Sequence, residues 1–310
     1  MPRLMPRLTA RRGLTLPELL VAMLLLAIVG GGLTRVLTKQ QQFYKDASRT
    51  AISKRELRLG ATVLPGELRS ISSSGGDILS MTENELVLRA YIGSSVICAR
   101  TSNDIWVPPT GLANHVLTSY TTKPVLGDTI FIFDEGTERG AQDDAWLLRY
   151  ITGIDNNASD CAGPPFMDPV LDAPATKKRT RYHLSADLPA TVGIGAVVRF
   201  TRPVKYKIYQ EASGAWYLGM EQYSNGQWQA PSPLAGPYSP LAAGDYLPSG
   251  LQFRFYDSLG VRVTNMNNDL DVARIDVFLR TNAGTSAITE RKGNALKDSV
   301  LMRVALRNFK

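Results

Sequence analysis

From Leu19 to Thr34 the chain carries no charged side chain, and this run constrains it more than any other feature. Residues 14–34, wound as a helix, would be about 31 Å long at ~1.5 Å per residue, enough to cross the hydrocarbon core of a bilayer. The run is apolar on all sides instead of striped, so it needs lipid or the centre of a helix bundle around it. Ahead of it, residues 1–13 hold Arg3, Arg7, Arg11 and Arg12 and no acid. Positive charge before a span predicts that the segment after it is exported. Those four arginines also supply much of the net charge of +7 across 310 residues. The rest of the chain has only a mild excess, which does not require nucleic acid or anionic lipid as a partner. The leader repeats Met-Pro-Arg-Leu, which makes Met5 a second candidate start.

An ordinary secretory signal shares the basic and apolar parts. Here, however, small residues after the run occur only as Gly30, Gly31 and Gly32, with no A-x-A pattern, and a carboxylate, Glu18, sits at the edge of the run. An ionisable group in that position costs on the order of a few kcal/mol unless something pairs with it. The pair Arg11-Arg12 also permits a twin-arginine reading, a weaker competitor. The whole stretch Gly13-Leu14-Thr15-Leu16-Pro17-Glu18-Leu19-Leu20-Val21-Ala22-Met23 resembles the class III signal of type IV prepilins and type II secretion pseudopilins.

That resemblance implies cleavage by a prepilin peptidase after Gly13 and methylation of Leu14 as the new N-terminus. Leu14 departs from the family's usual Phe, and Pro17 from its usual aliphatic residue. In a first helical turn Pro17 has no hydrogen bond to lose. Glu18, the fifth mature residue, has two readings. Thr15-x-x-Glu18 fits a capping box that satisfies backbone N–H groups at the helix start. The resemblance implies a second role: in a filament, Glu18 pairs with the α-amino group of a neighbouring Leu14 and fixes axial register, and the two roles can operate before and after assembly. Its implied partners are other pilins or pseudopilins, the prepilin peptidase, the inner-membrane assembly platform and, before assembly, membrane lipid. The implied location is the inner membrane as a single-pass protein with a periplasmic domain, then a filament at the cell surface.

Beyond the span, Leu33, Val36, Leu37, Phe43, Tyr44, Ala47, Ala51 and Ile52 recur at mostly helical spacings, which predicts an amphipathic stalk that packs on a globular domain. Pro65-Gly66 is expected to kink or end the helix, and Ser72–Gly76 to form a loop. Gly30–Gly32 lowers helix stability by about 3 kcal/mol, and either local melting during assembly or close helix packing accounts for it. After residue 76, β-like runs follow: 85–92, 129–133, 145–151, 196–201, 204–210, 215–222, 251–257, 273–281 and 300–307. Asn225-Gly226 is expected to turn a hairpin, and residues 231–250 to form a long surface loop. The expected fold is α+β: a leader at 1–13, a helix and stalk at 14–72, and a β-rich, mainly antiparallel pilin-like domain at 77–310. The order of the later strands is similar to PilW-like minor pilins and J-type pseudopilins. A mature chain of this length suits a scarce subunit better than one packed side by side in thousands of copies.

Cys98 and Cys161 lie downstream of the span. In an exported domain a bridge between them is expected, worth roughly 3–5 kcal/mol on the chain-entropy model; two unpaired thiols are the alternative. The acidic stretch holding Asp134, Glu135, Asp143 and Asp144 is a weak calcium candidate, since its spacing is not that of an EF-hand and acidic turns are usually only solvated. Arg199, Arg202, Lys205 and Lys207, interleaved with Phe200, Tyr206 and Tyr209, could face nucleic acid, but strand alternation explains them with no ligand. No zinc-protease, Cys-x-x-Cys, phosphate-loop or nucleophile-elbow motif is present, and no cofactor or catalytic role is expected. The reading that follows is a structural minor pilin or pseudopilin inserted at or near a filament tip to prime assembly. An adhesive or DNA-binding tip module is the second reading, and an exported β-rich protein or enzyme with a signal anchor the third.

Overall fold

A computed structural model describes residues 15–138, 140, 142–158, 161, 164–172, 177–241, 249–282 and 297–306. Gly13 and Leu14 lie outside the described residues. These residues fall into two units, divided between Ile52 and Ser53. The fold is α+β. One helix, α1 (Leu16–Leu68), is 53 residues long. It precedes strands β1 (Ile78–Met81), β2 (Glu85–Val96), β3 (Ala99–Arg100), β4 (Asp104–Val107), β5 (Ser119–Tyr120), β6 (Thr129–Asp134), β7 (Ala145–Ala158) and β8 (Arg179–Leu184). Then come β9 (Val197–Gln210), β10 (Trp216–Ser224), β11 (Gln227–Trp228), β12 (Ser232–Tyr238), β13 (Leu251–Tyr256), β14 (Arg262–Val263), β15 (Arg274–Asn282) and β16 (Lys297–Ala305).

In the first unit α1 is unbroken across Gly30–Gly32. The Thr34 hydroxyl bonds the carbonyls of Gly30 and Gly31, each at 3.0 Å. The expected stripe Leu33, Val36, Leu37, Phe43, Tyr44 and Ile52 is at least 50% exposed throughout. It is therefore not the stripe that seats the helix. Periodicity shows that a helix has an apolar face, but not which surface covers it.

The seating stripe starts one residue later, in the second unit. Ser53, Leu57, Gly60, Leu64 and Leu68 are buried, at spacings of three and four that place them on one face. They pack into a core shared by β1, β2, β10, β12, the second half of β9 and a separate antiparallel sheet ordered β14-β13-β15-β16. Gly60 makes the approach possible: a Cβ there would stand 2.5 Å from the Tyr238 hydroxyl and 2.6 Å from Leu279 Cδ1. Pro65 neither ends the helix nor opens its last turn, for Arg69 N–H still donates to the Pro65 carbonyl at 3.1 Å. A proline inside a helix costs ~3 kcal/mol. Leu64 and Leu68, both 0% exposed, offset this with about 1.5–3 kcal/mol each.

The larger sheet runs β1-β2-β9-β6-β7-β8-β4-β3, with β10 on β9, β11 and β12 on β10, and β5 on β2. Its axis is β9. Along one edge β9 pairs with β2 from Val197 to Lys207. Along the other, Val198–Thr201 pair with β6, and Val204–Gln210 pair with β10. Pro203, which has no N–H to give, stands where that edge changes partner. Val198 and Phe200 enter a second core with Ile130, Ile132, Ile151 and Tyr182, whereas Val204, Tyr206 and Ile208 enter the core beneath α1. At the fork, Arg202 Nε and Nη2 donate to Asp128 Oδ1 and Oδ2 at 2.8 and 2.7 Å, with both side chains buried.

Several strands differ from expectation. Residues 196–201 and 204–210 form one strand, because Pro203 falls at a partner switch instead of a break. The expected loop 231–250 contains β12, which pairs with β10 alone, so Pro237 sits on an edge where proline is tolerated. Strand β4 is buried at every position and β8 reads Arg-Thr-Arg-Tyr-His-Leu, so neither gives a clear period of two. Asn225 (φ 53°) and Gly226 (φ 81°) make the expected tight hairpin, joining Ser224 to Gln227.

Two substitutions test this core. Arg202→Met should lower unfolding free energy by about 3–5 kcal/mol by leaving Asp128 buried and unpaired. Gly60→Val should destabilise by about 1–3 kcal/mol through overpacking. Urea titration read by circular dichroism checks both.

Candidate assembly interface

Helix α1 opens on Thr15, whose carbonyl accepts from Leu19 N–H at 3.2 Å. The Thr15 hydroxyl donates to Glu18 Oε2 at 3.4 Å. The two side chains therefore meet each other, a contact different from the reciprocal backbone bonds of a capping box. Glu18 is exposed in the first turn, where the partial positive charge of the helix N-terminus favours a carboxylate. Next to it lies the apolar segment. No residue of its most apolar window is buried within the chain. Leu16, Leu20, Leu24, Leu26 and Ile28 are each at least 60% exposed. Each such side chain left in water forgoes about 1.5–3 kcal/mol of burial, so this surface requires lipid or other helices. By length and composition it can cross a membrane.

The helix is also tied down at its other end, by residues the sequence reading passed over. Tyr238 Oη donates to the Glu56 carbonyl at 2.9 Å, and Gly236 N–H donates to Glu56 Oε2 at 3.2 Å. Burial, then the nearby Glu56 charge, push the Tyr238 phenol above its ordinary value, so it remains a donor. Gly60, standing alone within a helix-forming stretch, was the available signal of a close approach.

The other sequence candidates fall in separate places. Cys98 and Cys161 form a disulfide with Cα atoms 5.3 Å apart, packed with Trp106 and Phe166. In the acidic turn, Asp134 Oδ2 accepts from the Thr191 hydroxyl at 2.9 Å, and Asp143 Oδ2 from Thr137 and Glu138 N–H at 2.5 and 2.9 Å. Those backbone bonds hold the Asp143 carboxyl below its ordinary value. Glu135 and Asp144 add no convergence: among the described residues no three His, Cys, Asp or Glu side chains gather to hold a metal. His183 Nδ1 lies 2.6 Å from Asp104 Oδ1, with Arg181 on the other oxygen at 2.5 Å, so this imidazole belongs to a pairing that ties β4 to β8.

Strand β9 does not present a row of free cations. Arg202 is held by Asp128. Lys205 and Lys207 share Glu221 at 3.2 and 2.7 Å, and the Arg199 guanidinium lies over the rings of Tyr91 and Phe131. Phe200 and Tyr206 are core residues. Burial alone would raise the Glu221 carboxyl, but the bonds and charges of Lys207 and Lys205 prevail and hold it below the ordinary value of 4.5.

Residues 8–34 match the family described as the prokaryotic N-terminal methylation motif. The chain therefore carries the prepilin class III signal and is type IV pilin-like, which points to a structural, membrane-anchored protein. No curated protein and no solved structure matches it.

A group with a depressed folded pKa stabilises above its unfolded value and loses that contribution as pH falls through the folded one. Denaturation midpoints should therefore drop as pH is lowered below about 4.5, the ordinary value for Glu221. Glu221→Gln should start lower and fall less steeply. Replacing both cysteines by serine should cost about 2–5 kcal/mol, and dithiothreitol should reproduce that loss in the wild type only.

Proposed function

We propose that the protein is a minor pilin or minor pseudopilin, cut between Gly13 and Leu14, methylated on Leu14, and inserted at or near a filament tip to prime assembly. The observation that carries this is the exposed apolar helix with one carboxylate, Glu18, in its first turn. Within a membrane that helix is a single anchor. Within a filament its apolar faces bury against neighbouring helices, and the α-amino group of another subunit's Leu14 neutralises Glu18. Pairing two charges that would each cost several kcal/mol alone gives the assembly a preferred axial register.

The minor role is supported by the size of the part that follows Ser53. Two hydrophobic cores built on a broad sheet and a smaller second one make a bulky subunit for a body in which every copy must pack beside the next. They offer instead a large surface for choosing particular neighbours. The disulfide fits a periplasmic location, where such bonds persist.

The test has two stages. Mass spectrometry of the chain from cells with prepilin peptidase should give an N-terminal methyl-Leu14, and cells without it should keep the leader; a cut near Gly32 in both would overturn the reading. Glu18→Ala should be processed normally yet recovered in sheared filaments at a small fraction of the wild-type amount. Incorporation equal to wild type would remove the register role.

A further inference from the structure

A cleft of about 620 Å³ opens between the segments around Pro108 and Lys123, strands β7 and β8, and the turn at Asn225. That volume suits a small ligand. Tyr120 and Tyr182 line it and share a hydrogen bond of 3.1 Å. One phenolic proton is used between them, which leaves one O–H able to donate elsewhere. Burial raises both phenols, Tyr182 to about 12 and Tyr120 further, so the pair stays neutral at physiological pH. Lys123 and Lys178 also line the cleft, and its lining contains no carboxylate. Among the described residues neither ammonium is paired with a carboxylate.

The lip that carries Lys123 is held in place from below. Arg202 Nη2 donates to the Lys123 carbonyl at 3.1 Å, and Val125 N–H donates to Asp128 Oδ2 at 2.8 Å. The buried ion pair at the sheet fork thus fixes both ends of the Lys123–Val125 segment. An ion pair of this kind is seldom the most stabilising way to fill a core, but it is a precise way to hold a loop. Opposite, Thr180 Oγ1 donates to Asn156 Oδ1 at 3.4 Å, so the Asn156 amide N–H groups are left to donate to something else.

We propose that this cleft binds a saccharide unit bearing a carboxylate. Lys123 and Lys178 hold the acid, the Tyr120–Tyr182 pair and Asn156 bond the hydroxyls, and Pro109 and Leu126 on the cleft wall pack on the apolar ring face. A bare inorganic anion would use the two ammonium groups and leave the neutral donors and apolar wall idle.

The test uses the full chain in detergent micelles, titrated with galacturonic acid and N-acetylneuraminic acid and followed by saturation-transfer NMR and calorimetry. Galactose and inorganic phosphate are the comparison probes. At least one acidic sugar should bind saturably and at least about tenfold more tightly than galactose or phosphate. Lys123→Gln and Lys178→Gln should each weaken it at least about fivefold, and Tyr120→Phe should weaken it while the thermal midpoint stays near wild type. Lys205→Gln, on the ion-paired face of β9, should leave it unchanged. Absence of saturable binding by either acid, phosphate binding as tightly, or binding that survives both lysine changes would each overturn the proposal.

Discussion

Strand β9 belongs to two cores at once, and the Arg202–Asp128 pair sits where they part. On one side of that point the strand feeds Val198 and Phe200 into one set of strands. On the other it feeds Val204, Tyr206 and Ile208 into the core under the helix. A sheet edge that changes partner leaves a gap in the ladder, and backbone groups in such a gap must be satisfied by other means. Here proline removes one donor from the strand, and a guanidinium fills the space while bonding a carboxylate and a loop carbonyl. Because those bonds reach the Lys123–Asp128 segment, the same interaction that joins the two cores also shapes the cleft beside them.

The helix obeys a different constraint. Its first part has apolar surface that is exposed among the described residues, and its last part, from Ser53 to Leu68, has a narrow stripe that is buried. The change comes near Ser53, without any break in helical hydrogen bonding. A pilin-like chain needs both: a surface left open for lipid or neighbouring subunits, and a seat firm enough to transmit position to the globular part. Gly60, Tyr238 and Glu56 supply that seat through close approach and two hydrogen bonds.

Much of this was legible from residues in order. The uncharged run from Leu19 to Thr34, the basic leader and Glu18 follow from composition and spacing over a short stretch, where the physics is local. The hairpin at Asn225-Gly226 was legible for the same reason, since both residues tolerate positive φ. Strands β4 and β8 were not, because a strand buried on both faces or rich in arginine has no alternation to detect. Strand β12 was hidden by its prolines, which mark a loop unless the strand lies on an edge. The stripe that seats the helix was misplaced because Ser53 and Gly60 are not apolar; they are buried for their small size.

The sequence by itself determined the long apolar helix, the carboxylate at its start and the α+β division, all of which rest on hydrophobicity and charge within a few turns of chain. Tertiary structure decided which residues hold the helix. It also decided that the cations of β9 are mostly paired, and that Tyr120, Lys123, Asn156 and Lys178 line one cleft. Those facts depend on strands far apart in sequence pairing in one register, and register is set by the packing of whole faces, not by any local pattern.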